Sequence, residues 1–156
     1  MNFRFACKED VPKILSFIKE LAEYEKMSDQ VVATEALLTE QLFEKHNAEV
    51  LFVEADNTEV GFALFFHNFS TFLGKSGIYL EDLFVKPEYR GNGYGKGLMT
   101  QLAKIAVERG CERFEWACLN WNTPSINFYL SLGAKPMDEW TVYRVFGDAL
   151  NKLAEN

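Results

Sequence analysis

The stretch Leu83-Phe84-Val85-Lys86-Pro87-Glu88-Tyr89-Arg90-Gly91-Asn92-Gly93-Tyr94-Gly95-Lys96-Gly97 constrains the fold more than any other. An apolar strand, a turn dense in glycine and the start of a helix follow one another without a gap. Such a turn presents main-chain N–H groups at the positive end of a helix dipole. A phosphate is its natural guest, and glycine lets that guest approach the backbone. Two phosphate-binding patterns fail here. The dinucleotide pattern G-x-G-x-x-G would need glycine where Lys96 or Leu98 stands. The P-loop pattern G-x-x-x-x-G-K-[ST] fails at Phe69 for Gly74-Lys75-Ser76, and at Arg90 and Gly97 for Gly95-Lys96. The turn instead spells R-x-x-G-x-G, from Arg90 through Gly91, Asn92, Gly93 and Tyr94 to Gly95.

Around this turn the periodicity lays out a mixed α/β chain. Phe3 and Phe5 alternate as in a short strand. Val11, Ile14, Leu15, Ile18 and Leu21 recur at helical spacing after Asp10, with Pro12 in the first turn. Thr34 caps a second helix reaching Phe43. Strands are predicted at Glu49–Ala55, Glu59–His67 and Gly77–Val85, the first two joined by a hairpin turn at Asp56-Asn57. The helix after the glycine turn ends at Gly110. A strand is predicted over Arg113–Leu119, a short helix from Asn122 to Gly133, a last strand over Thr141–Phe146 and a small helix over Asp148–Leu153. The order βααβββαβαβ predicts one domain, residues 1–156, with a mixed, mostly antiparallel sheet flanked by helices.

Composition narrows the function classes. The 156 residues carry a net charge of −7, which argues against a nucleic-acid partner and suits a cationic one. Apolar residues make up 48% of the chain, enough for a sizeable core. Cys7, Cys111 and Cys118 form no C-x-x-C or Cys/His cluster, so the expectation is a reduced, cytoplasmic setting and no metal. His46 and His67 lack metal-ligand spacing and read as structural. No membrane span or targeting segment is expected.

With its R-x-x-G-x-G turn, the chain resembles the GNAT superfamily of acetyl-CoA-dependent N-acetyltransferases. The segments Ile18–Glu25, Tyr79-Leu80-Glu81-Asp82, Pro87–Gly91 and Trp121–Tyr129 are similar to its diamine acetyltransferase branch. That branch holds the spermidine/spermine N1-acetyltransferases and the thialysine Nε-acetyltransferases. The resemblance implies the GNAT fold, acetyl-CoA as cosubstrate, a small amine as acceptor and a homodimer. It implies that Arg90, Gly91, Asn92, Gly93, Tyr94, Gly95 and Lys96 cradle the coenzyme diphosphate. Leu83, Phe84 and Val85 would then line the pantetheine arm, and Asn122 and Ser125 would contact the coenzyme.

The resemblance also implies roles in catalysis. Tyr129 would be the general acid toward the departing thiolate, since a phenol with a pKa of about 10 can donate to sulfur. Glu81 would draw the proton from an ammonium whose ordinary pKa is about 10.4. Tyr24, Glu25, Glu81 and Asp82 would hold the substrate. In a regular strand Glu81 and Asp82 face opposite ways, so only one of them should face the amine, and the resemblance selects Glu81. Phe69-Ser70-Thr71-Phe72-Leu73-Gly74-Lys75 is more similar to the thialysine branch: serine stands where the polyamine enzymes carry an acid. The segment between Gly133 and Trp140 is shorter than in those enzymes, with Asp138 and Glu139 near an acidic position. Leu132 stands where some relatives have an arginine. Two other readings stay open, an acetyltransferase for a protein N-terminus or lysine and a non-catalytic acetyl-CoA sensor.

Overall fold

A computed structural model describes all residues, 1–156. The chain forms two compact units, Met1–Ala117 and Cys118–Asn156.

The first unit carries one five-stranded sheet. Its strands are β1 (Asn2–Phe5), β2 (Glu49–Ala55), β3 (Thr58–Ser70), β4 (Lys75–Val85) and β5 (Phe114–Trp116), adjacent in that order. The first four pair antiparallel, and β5 joins β4 in parallel. The mixed, mostly antiparallel sheet predicted from the sequence is therefore present. Helix α1 (Val11–Tyr24) lies on one face. Its Ile14 and Phe17 bury against Val50, Phe52, Phe62 and Phe84. The Phe17 ring stacks on Phe62 at 5.2 Å and meets Phe84 edge-on at 6.2 Å, an arrangement aromatic quadrupoles favour. Helix α3 (Tyr94–Glu108) buries Leu98, Leu102 and Ile105. It lies on the face of Phe3, whose ring stands 3.0 Å from where a Cβ on Gly97 would fall. Between α1 and β2 runs α2 (Glu35–Leu38), capped by the Thr34 hydroxyl accepting from Leu37 N–H at 3.2 Å. A π turn, Thr39–Glu44, continues it.

Asp10 precedes α1 as predicted but does not cap it. Its carboxylate takes both Arg4 terminal nitrogens, at 2.7 and 2.9 Å, and the Cys7 N–H at 2.8 Å. Arg4 also donates to Glu54 and Glu59, tying β1, β2 and β3 to the start of α1. His67 is structural, as expected. Arg109, always a donor, approaches its Nε2 at 2.9 Å, so the proton sits on Nδ1 and goes to the Gly77 carbonyl at 3.0 Å.

In the second unit, α4 (Thr123–Ser131) and α5 (Asp148–Ala154) are helical. Two strand predictions need correction. The strand predicted over Arg113–Leu119 is confined to Phe114–Trp116. The strand predicted over Thr141–Phe146 does not form, so the observed order is βααβββαβαα. A strand forms only where its N–H and C=O groups find a backbone partner, and the second unit contains no strand to supply one. Trp140, Val142, Tyr143, Val145 and Phe146 are all exposed.

Candidate active site

The glycine turn sits between the end of β4 and α3. A single 3-10 turn, Pro87–Tyr89, leads into it. Gly91 and Gly93 have φ of 80° and 84°, the left-handed region where a Cβ is penalised. Gly93 is the N-cap of α3, and its carbonyl accepts the Gly97 N–H at 2.9 Å. The N–H groups of Tyr94, Gly95 and Lys96 precede the first intrahelical bond and point out of the helix end. A Cβ on Gly91 or Gly93 would meet no atom within 4 Å, so the space over the turn is open. Asn92 does not aim outward. Its side-chain amide donates to the carbonyls of Tyr89 and Arg90 at 3.1 and 3.2 Å and so fixes the turn.

The strand before the turn offers its backbone more than its side chains. Phe84 is 5% exposed and belongs to the core under α1, so only its main chain is available to a guest. The β5 strand accompanies β4 from Ile78 to Leu80 and then ends. From Glu81 to Val85 the β4 backbone continues with its β3 pairing on the other side.

At that point β4 carries a bulge. Leu80 pairs with Phe65 and Asp82 with Leu64, which leaves Glu81 as the extra residue. The bulge corrects the alternation expected for this pair. In a regular strand Asp82 would share the face of Leu80. Instead it lies opposite Leu64, and Leu64 packs against the core cluster under α1. Asp82 thus stands on the α1 face, where Tyr24 and Glu25 end the helix.

The Glu81 charge bears on both of the other carboxylates. Burial, then the charges of Glu81 and Glu25, push Asp82 up to about 7. Burial and the Glu81 charge also push Glu25 up. Glu81 itself is exposed. A cation placed here would relieve three like charges at once.

Helix α1 ends by closing on itself: Met27 N–H reaches the Ala22 carbonyl at 2.8 Å, with Lys26 left-handed at φ 61°. That closure fixes Tyr24 and Glu25 at the last helical turn. Arg90 departs from the expected position. Its Nε donates to the Val85 carbonyl at 2.8 Å, and its guanidinium lies 5.0 Å from the Tyr24 ring and 5.2 Å from the Phe84 ring. Sequence reasoning put Arg90 with the turn but missed this contact, which only the fold brings about.

The first unit therefore gathers Tyr24, Glu25, Glu81, Asp82 and Arg90 beside the turn. The second unit holds the other candidates on α4. Asn122 is buried, and its Oδ1 accepts the Ser125 N–H at 3.4 Å as a helix cap. Pro124 occupies the first turn and Gly133, at φ 87°, closes the helix. Tyr129 lies on the same helix, half-buried, its ring 5.4 Å from that of Phe128.

Comparison with known proteins follows the same lines. The acetyltransferase (GNAT) family profile matches residues 14–134. A thialysine N-epsilon-acetyltransferase from Sus scrofa is 39% identical, over 97% of this chain and 95% of its own. An L-ornithine N5-acetyltransferase from Arabidopsis thaliana is 32% identical, over 97% of this chain and 87% of its own. Among solved structures, an integron cassette protein from the mobile metagenome of V. cholerae superposes with a TM-score of 0.84 at 30% identity, covering 99% of this chain and 98% of that one.

Proposed function

The chain belongs to the GNAT family of acetyltransferases, and from that premise we propose that it acetylates one primary amine of a small cationic substrate with acetyl-CoA. The substrate class is a diamine, a polyamine or a thialysine-like amino acid. One observation carries the reading: Glu81 and burial raise the proton affinity of both Glu25 and Asp82, so three carboxylates lie within one another's electrostatic reach where β4 passes the end of α1. A neutral acceptor would gain nothing from such a place. The names of the thialysine and ornithine acetyltransferases among its relatives point to the same kind of amine.

The residues of the turn fit the coenzyme. Open space over Gly91 and Gly93 admits a diphosphate, and the N–H groups of Tyr94, Gly95 and Lys96 supply donors. The main chain of Leu83, Phe84 and Val85 would hold the pantetheine arm, and Asn122 and Ser125 would make further contacts. Bound acetyl-CoA supplies the thioester from which the acetyl group is transferred. Glu25 and Tyr24 orient the substrate cation, and Glu81 takes the ammonium proton, directly or through water. Tyr129 holds on its phenol oxygen the proton that the departing sulfur needs. Most of the rate then comes from positioning two bound reactants.

We assign residues 1–156 to one functional domain, because the family match runs through the boundary between the two units. The exposed apolar run from Trp140 to Phe146 supports a homodimer, since such patches on soluble chains mark contact surfaces. No helix is long and apolar enough to cross a membrane, and a cytoplasmic location accords with the cysteine usage.

The test is a matched kinetic panel of putrescine, spermidine, spermine, thialysine, ornithine and lysine, with N-terminal and lysine peptides alongside, read by coenzyme A release. Turnover of at least one free amine well above every peptide supports the reading. Turnover of peptides alone overturns it.

A further inference from the structure

Arg90 opens the glycine turn, yet its side chain leaves it. The backbone stays in the turn: Arg90 N–H donates to the Pro87 carbonyl at 3.2 Å, and the Arg90 carbonyl accepts from the Asn92 side chain at 3.2 Å. The guanidinium folds back across the end of β4. There Nε holds the Val85 carbonyl at 2.8 Å, while the guanidinium carbon lies 5.0 Å from the Tyr24 ring centroid and 5.2 Å from that of Phe84. Phe84 is 5% exposed within the aromatic core. Tyr24 is half-buried at the end of α1, packed against the edge of that core. One planar cation thus joins a core ring, a strand-end carbonyl and the ring at the helix end.

We propose that Arg90 is a positioning residue for the amine: its guanidinium holds the Tyr24 ring, and so ties the glycine turn to the end of α1 that receives the substrate. This rests on the assignment of Tyr24 and Glu25 to the amine. A lysine cannot substitute. It keeps the charge but loses the planar face and the Nε–H that reaches Val85. The link also gives the turn a second consequence. A shift of the turn around Arg90 is transmitted to Tyr24, so filling of the turn and grip on the amine are coupled through one side chain.

The test is a double-mutant cycle on the full chain with Arg90→Lys and Tyr24→Ala. The readouts are the amine KM, kcat, and acetyl-CoA affinity by calorimetry. A cation–π contact at a partly exposed site predicts that Arg90→Lys raises the amine KM by roughly 3- to 10-fold. It should raise it by less than about 2-fold once Tyr24 is already alanine, the signature of coupling. Arg90→Gln, which loses the cation and the Nε–H together, should raise it at least as far as Arg90→Lys. Equal effects of Arg90→Lys in both backgrounds overturn the proposal, whatever happens to coenzyme affinity. A loss confined to acetyl-CoA binding overturns it too and makes Arg90 a residue of the turn alone. If Tyr24→Ala leaves the amine KM unchanged, the assignment of Tyr24 to the substrate fails first, and the Arg90 link fails with it. If the cycle is additive while Tyr24→Ala is itself damaging, only the Arg90 inference is lost.

Discussion

Asp82 shows how far one residue can depart from what its neighbours in sequence suggest. Strand alternation separates it from Glu81. The bulge, which has no signal in a single sequence, turns it to the α1 face. There its carboxyl is held up to about 7 by burial and by Glu81 and Glu25. A carboxyl raised above its unfolded value, about 3.9, stabilises the fold fully below that value, and the contribution is lost as pH rises through about 7. Asp82→Asn should therefore raise the melting temperature at pH 8 and hardly at pH 4, with a gain on the order of 2 kcal/mol. Thermal unfolding across that range checks it; an equal effect at both ends contradicts the buried, mutually repelled carboxyl. Gly93 was legible, since its place in the turn demanded a residue without Cβ. Gly93→Ala meets no steric obstacle and pays only for its φ of 84°, about 1–2 kcal/mol. Calorimetry should show weakened acetyl-CoA binding, and unchanged affinity would mean the turn does not need its left-handed geometry.

Among the elements, those announced by local chemistry were legible. The Asp56-Asn57 hairpin is a two-residue turn with both residues left-handed, at φ 49° and 62°, as tight turns between twisted strands require. Asn57→Gly should stabilise the protein by about 0.5 kcal/mol, read as a higher denaturation midpoint at unchanged slope. A lower midpoint would mean that the Asn57 side chain contributes to the turn. The caps of α2 and α4 by Thr34 and Asn122 were equally local. What could not be read were elements that depend on a distant partner. The strand predicted over Thr141–Phe146 finds no strand partner within its own unit, and β5 is three residues long where the pattern promised more. For the same reason Arg90 was assigned to the turn: its stacking on Tyr24 requires α1 and β4 to be brought side by side.

On the scale of the whole molecule, the acidic composition divides into two kinds of carboxylate with opposite pH behaviour. Around Arg4, the guanidinium holds Asp10 well below the usual carboxylate range, and Glu59, held first by Lys13 and then by Arg4, falls to about 2. Groups depressed in this way stabilise the fold above their unfolded values, near 4, and cease to as pH falls through their folded values. Asp82 acts in the other direction. From these groups stability should therefore peak at about pH 4, falling on the acid side through the Arg4 cluster and on the neutral side, up to about pH 7, through Asp82. Arg4→Met should flatten the acid limb of that profile, and an unchanged limb would mean the cluster does not contribute. Glu25, Glu81 and Asp82 form a separate group where β4 passes the end of α1, and the proposed choice of a cationic substrate rests on them. The most direct test compares putrescine with butylamine, which share an acceptor amine but differ by one charge, on wild type and on Glu25→Gln. Glu25→Gln should raise the putrescine KM on the order of tenfold and the butylamine KM by less than about twofold. An equal change for both amines, or none for either, would contradict a site built to hold a second positive charge.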